Sequence, residues 1–72
     1  MAADRQWTLA QALRSYASLQ EALPNLSEED VLAALDLEAA SRRRRSIMDR
    51  LIARAVRLRE LKYVTQLKER YS

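Results

Sequence analysis

The amino-acid sequence predicts an all-α protein of three helices: an αα-hairpin followed by a longer C-terminal helix, forming a single domain over residues 1–72. Three observations carry that expectation. Ala, Leu and Arg supply 35 of the 72 residues, while Gly is absent and Pro occurs once, so strong helix formers dominate and helix breakers are nearly missing. Apolar residues recur at threes and fours along most of the chain. Helix-capping patterns interrupt that periodicity at separated points.

The first helix is predicted over residues 9–23. Thr8 and Gln11 suit its N-terminal cap, with Trp7 placed before them as a hydrophobic staple over Ala12. Leu9, Leu13, Tyr16, Leu19 and Leu23 then form one apolar face, and Pro24 ends the helix because the residue before a proline is driven out of the α region. The second helix is predicted over 28–40. Ser27 and Asp30 form a capping box, Leu26 and Val31 a staple, and Glu28, Glu29 and Asp30 set negative charge at the positive end of the helix dipole. Its apolar stripe reads Val31, Leu32, Leu35 and Ala39, and the short turn at 24–27 makes the first two helices antiparallel neighbours.

The third helix is predicted over 46–71, opened by Ser46 and Asp49. It carries two apolar stripes: Ile47, Met48, Leu51, Ala55 and Leu58, and, turned by roughly 100°, Ile52, Val56, Tyr63 and Leu67. One stripe suffices to cover a small hairpin, so the second, with Tyr71, is the expected self-association surface. Length argues the same way. Residues 46–71 span about 39 Å as a helix, the first helix only about 22 Å, so the C-terminal turns overhang. Such support matters in a chain this short, since a domain of this size is marginal alone and the absence of Cys and His removes disulfides and the commonest metal ligands. A dimer is the expected homo-oligomer.

Residues 41–46, SRRRRS, fall where the apolar phase of the second helix fails to line up with that of the third, and a bend or short turn is expected there. Charge changes sign at the same place. Residues 1–41 hold two basic residues against seven acids, net −5, and residues 42–72 hold eleven against three, net +8. Arg42, Arg43, Arg44 and Arg45, with the line Arg50, Arg54 and Arg57, are the candidate site for an anionic partner, Lys68 continuing the line. Four consecutive residues of a helix point in four directions, so the expected contact uses those continuous with the line.

These features exclude more than they name. Without His, Cys or Gly there is no activated nucleophile and no phosphate-cradling glycine loop, so no enzyme, cofactor or small-molecule substrate is expected. The acids at 28–30 point in different directions round a helix and do not converge on a metal ion. No run of apolar residues reaches membrane-spanning or signal-peptide length, which with the lack of Cys points to the cytoplasm and away from membranes. What remains is a binding protein. A self-associating regulatory or assembly module acting on another protein is the first expectation, and a basic regulator of DNA or RNA the second. A helix-turn-helix reader is disfavoured because the third helix opens with Ile47, Met48, Leu51 and Ile52 where base-reading side chains belong.

Overall fold

The computed structural model describes residues 2–72, with side chains from Arg5 onward. The protein is all-helical: α1 (Ala2–Ala12), α2 (Tyr16–Ala22), a single 3₁₀ turn (Leu23–Asn25), α3 (Glu28–Ala40) and α4 (Arg45–Tyr71). No strand occurs among the described residues.

The expected helix over 9–23 is two helices, which corrects the count from three to four. The divider is Ser15. Its extended backbone and hydroxyl cap α2 by accepting the Ser18 N–H at 3.0 Å, while Leu13 and Arg14 form a turn closed by Leu13 N–H to the Leu9 carbonyl and Arg14 N–H to the Gln11 carbonyl. Thr8 is therefore not at a helix start; it lies inside a helix that already runs from Ala2, and Trp7 is 67% exposed rather than acting as a staple.

The predicted boundaries of α3 hold. Ser27 accepts the Asp30 N–H at 3.1 Å and Asp30 accepts the Ser27 N–H at 3.2 Å, so the capping box is complete, and Leu26 and Val31 are both buried beside it. The buried stripe of α3 differs from the expected one. Val31, Ala34 and Glu38 lie fully inside, Leu35 and Ala39 are half-buried, and Leu32 is exposed. Ser46 does not open α4. The helix begins one residue earlier, with Arg44 at the N-cap and no side-chain cap.

Chain direction follows from pairs at either end of the elements. Arg5 bridges Asp30 at 2.9 Å near the starts of α1 and α3, and the Leu13 carbonyl meets Arg44 near their ends, so these two helices run the same way. Glu38 with Arg44 at one end, and Glu28 with Arg59 at the other, make α3 and α4 antiparallel. The principal hairpin is thus α3–α4, the most extensively packed pair. The predicted hairpin of the first two helices is replaced by a reversal at residues 13–15.

One core joins all four helices: Leu9, Leu13, Leu19, Leu23, Leu26, Val31, Ala34, Ile47 and Leu51, with Ala55 and Leu58 packed at its edge. α4 serves that core only with its first half. From Arg59 to Tyr71 every residue is exposed except Leu67, which is half-buried. The molecule measures 44 × 28 × 21 Å, and its radius of gyration of 13.6 Å exceeds the about 11 Å of a compact chain of this length.

Ser27→Ala removes the hydroxyl half of the capping box and is expected to lower the stability of the fold by about 1 kcal/mol in urea denaturation. Ser15→Ala is expected to cost a similar amount, and this checks that the break between α1 and α2 is set by its cap.

Candidate binding surfaces of α4 and its junction

The arginine run spans the link between α3 and the first residue of α4, and its members fall into three different roles. Ser41 ends α3, its hydroxyl donating to the Leu37 carbonyl at 2.7 Å. Arg43 takes a left-handed backbone, φ 48°, so that its N–H reaches back to the Glu38 carbonyl at 2.8 Å. Left-handed geometry in a residue bearing a Cβ costs about 1–2 kcal/mol, and a chain without glycine must accept it. The Arg43 guanidinium donates to the Ala39 carbonyl at 3.0 Å, satisfying one more carbonyl of the helix end. Arg42 and Arg45 are exposed, and Arg45 lies only at 3.9 Å from Asp49.

Arg44 is the exception, because it points inward. Its Nη2 and Nε donate to the two carboxylate oxygens of Glu38 at 2.8 and 3.0 Å, and its backbone N–H donates to Oε2 at 2.8 Å. The same Nη2 donates to the Leu13 carbonyl at 2.6 Å, where α1 ends and positive charge is favoured by the helix dipole. One side chain therefore ties the end of α1, the end of α3 and the start of α4. Glu38 is only 1% exposed, so its charge depends on this partner. Hydrogen bonds from the Arg44 side chain hold the Glu38 carboxyl below its ordinary value against the opposing effect of burial, and they raise Arg44 in turn.

That role removes Arg44 from the predicted anion site. Arg42, four residues after Glu38 along the chain, acts on it only at longer range. Of the line on α4, Arg50 is half-buried and donates to Gln20 at 2.6 Å, joining α4 to α2. Arg54 is half-buried, its Nε enclosed with no hydrogen-bond partner. Arg57 is exposed and pairs loosely with Glu60 at 3.4 Å. The seven candidate arginines are thus not one surface. Arg42 and Arg45 lie open at the junction and Arg57 farther along, while Arg43, Arg44 and Arg50 bond to other parts of the chain and Arg54 is half-buried. Arg59, outside the predicted line, bridges Glu28 at 2.8 Å and clamps the start of α3 to the middle of α4.

The second apolar stripe is exposed as a face. Ile52 is 46% exposed, Val56 53%, Tyr63 60% and Tyr71 77%, with Leu67 between them. A groove of about 610 Å³ lies beside it on the side of α3, lined by Glu28, Val56, Arg59, Glu60, Lys62, Tyr63 and Gln66. Among the described residues no group of three or more acids lies placed to hold a metal ion, and no helix is long and apolar enough to cross a membrane.

Glu38 is the structural residue that the expected apolar stripe of α3 left out. Its signal was present, since it falls three and four residues beyond Leu35 and Ala34 and in phase with Val31, on the face that has to be buried. Comparison of the chain with known protein families, with curated proteins and with solved structures found no match.

Glu38→Ala and Arg44→Ala are each expected to destabilise the protein by about 3 kcal/mol, because each leaves a charge unpaired in or near the core. The double substitution should cost distinctly less than the two together in a urea double-mutant cycle. Acid dependence follows from two depressed carboxyls, Glu38 held by Arg44 and Asp30 held by the Ser27 N–H. Their stabilisation is complete above the ordinary values of 4.5 and 3.8 and is lost as pH falls through the lower folded values. Urea midpoints are expected to be level at neutral pH and to fall below those values, with a weaker acid response in Glu38→Gln.

Proposed function

We propose that the protein is a non-catalytic helical binding module that self-associates as a dimer through α4 and acts in the cytoplasm as a regulatory or assembly factor on another protein. The observation that carries this reading is the face of Ile52, Val56, Tyr63, Leu67 and Tyr71, which runs along α4 on the side turned away from the core and continues onto the half of the helix that the core does not use. Surface area supports it. The chain exposes 5469 Å², whereas a compact monomer of 8.3 kDa exposes about 4,600 Å². The surplus, roughly 900 Å², is about one side of a standard protein–protein interface. Aromatic side chains at the open positions suit that use, since they bring large apolar area at little conformational cost. Trp7, exposed on α1, offers a separate apolar anchor for a protein other than a second copy.

A second reading, contact with a nucleic-acid backbone, is supported by the open arginines Arg42, Arg45 and Arg57 together with exposed Lys68. It has less to work with than the composition implied, because Arg44 is spent on Glu38 and Arg50 on Gln20.

Light scattering at tens of micromolar is expected to give twice the chain mass for the natural protein and the single chain mass for Val56→Glu/Tyr63→Glu. Both positions are open, so the four-helix core should stay folded, with a cooperative unfolding transition by circular dichroism. A monomeric natural protein would exclude self-association. For the second reading, binding to a mixed DNA and RNA pool at about 50 mM salt should weaken steeply with added salt and on Arg42→Ala/Arg45→Ala; binding indifferent to both removes it.

A further inference from the structure

α4 contains an eleven-residue repeat in its chemistry. Asp49, Ile52, Val56 and Arg59 are followed at identical spacing by Glu60, Tyr63, Leu67 and Arg70: acid, apolar, apolar, arginine, twice. Eleven residues make almost three whole turns, so the second unit lies only about 20° round the helix from the first. All eight side chains consequently share an arc of about 100°. It is the open face, on the part of α4 turned away from Leu51 and the core.

The order within the unit dictates how two copies can meet. Parallel helices in register set Asp49 on Asp49, Glu60 on Glu60 and each arginine on its own counterpart, and sliding one helix by a repeat still sets acid on acid. Antiparallel helices reverse the order. About a two-fold axis between Arg59 and Glu60, Ile52 meets Leu67, Val56 meets Tyr63, Asp49 meets Arg70, and Arg59 meets Glu60. Each apolar residue faces an apolar one and each charge its opposite. No shorter antiparallel overlap engages both units. A groove at the same level of the helix is lined by Val56, Arg59, Glu60 and Tyr63 of this face, together with Lys62, Gln66 and Glu28 of α3 on its flank.

We infer that the occupant of this face is a second copy of the chain, its α4 lying antiparallel about a two-fold axis between Arg59 and Glu60 over residues 49–70. The inference rests on the self-association proposed above and adds its direction and register. The overlap is about 32 Å long, and the exposed half of each α4 lies along the core-packed half of the other. Arg59 keeps Glu28 and gains Glu60 of the second copy, its side chain being 76% exposed and open to a further acceptor. The two junctions, each with Arg42 and Arg45, then stand at opposite ends of the paired helices, the Arg44 residues roughly 46 Å apart along the axis. Such a dimer is two-headed: it presents the same helical unit, and the same open arginines, in opposite directions.

The absence of cysteine makes the register directly measurable. Ile52→Cys and Leu67→Cys are made in separate chains, mixed, and oxidised under conditions where light scattering gives the dimer mass. Within one helix these positions are about 22 Å apart, so a disulfide between them joins two chains. The expected result is a covalent dimer from the mixture and none from either variant alone, repeated with Val56→Cys and Tyr63→Cys. A covalent dimer from Ile52→Cys alone overturns the antiparallel direction. A dimer by scattering that yields no disulfide from either mixture overturns the register. A single chain mass by scattering, before any oxidation, overturns the self-association itself and is thereby distinguished from failure of the geometry.

Discussion

Burial of the Glu38 carboxylate is the constraint on which the rest of the structure depends. A charge at 1% exposure is tolerated only with a cation and hydrogen bonds on both of its oxygens. Arg44 supplies three of those bonds, one of them from its backbone N–H, so the carboxylate fixes where the main chain passes between α3 and α4 as well as where the side chain goes. The left-handed Arg43 is the conformation that brings Arg44 round. The remaining guanidinium contact, on the Leu13 carbonyl, makes the end of α1 part of the same arrangement, at the point where the chain must reverse into α2. A hydrophobic core of mostly leucine side chains sets no unique angle between helices. This polar clamp is well placed to select one, as buried ionic groups do in some small folds.

The clamp also explains why α4 can be so much longer than its neighbours. Its first three turns are anchored by Ile47 and Leu51 in the core, by Arg50 on Gln20 and, farther on, by Arg59 on Glu28. Beyond Arg59 the helix continues with good helix formers but without packing, and isolated helical turns are marginal in water. Stability of that half and occupation of its apolar face are therefore one question. A second α4 would supply packing to the stretch that lacks it, while the small core of each chain would gain the additional burial that domains of this size generally need.

Much of this was legible in the residues. The Ser27 and Asp30 capping box, the boundaries of α3, the core stripe of α4 through Ile47, Leu51 and Leu58, and the open second stripe through Ile52, Val56 and Tyr63 all follow from local spacing. What was misread followed from local rules applied where distant contacts decide. Thr8 and Ser46 match capping patterns but lie inside helices, whereas Ser15, with no glutamate or glutamine three residues on, caps a real one. The four arginines look alike in sequence. In space one turns inward and is half-buried, one is left-handed and two are open, because only one of them can reach Glu38 and Leu13 at once.

The sequence by itself determined an all-helical chain, the places where its long apolar faces run, and the reversal of charge at residue 42, since helix propensity, periodicity and charge are properties of neighbours along the chain. Only the tertiary structure decided where the turn between α1 and α2 is held, that α3 pairs with α4 rather than with the segment before it, and that Arg44 turns inward to Glu38. Those outcomes turn on contacts between residues as far apart as Leu13 and Arg44. The physical reason is that a buried carboxylate takes the cation that geometry brings to it, and that geometry exists only once the helices have packed.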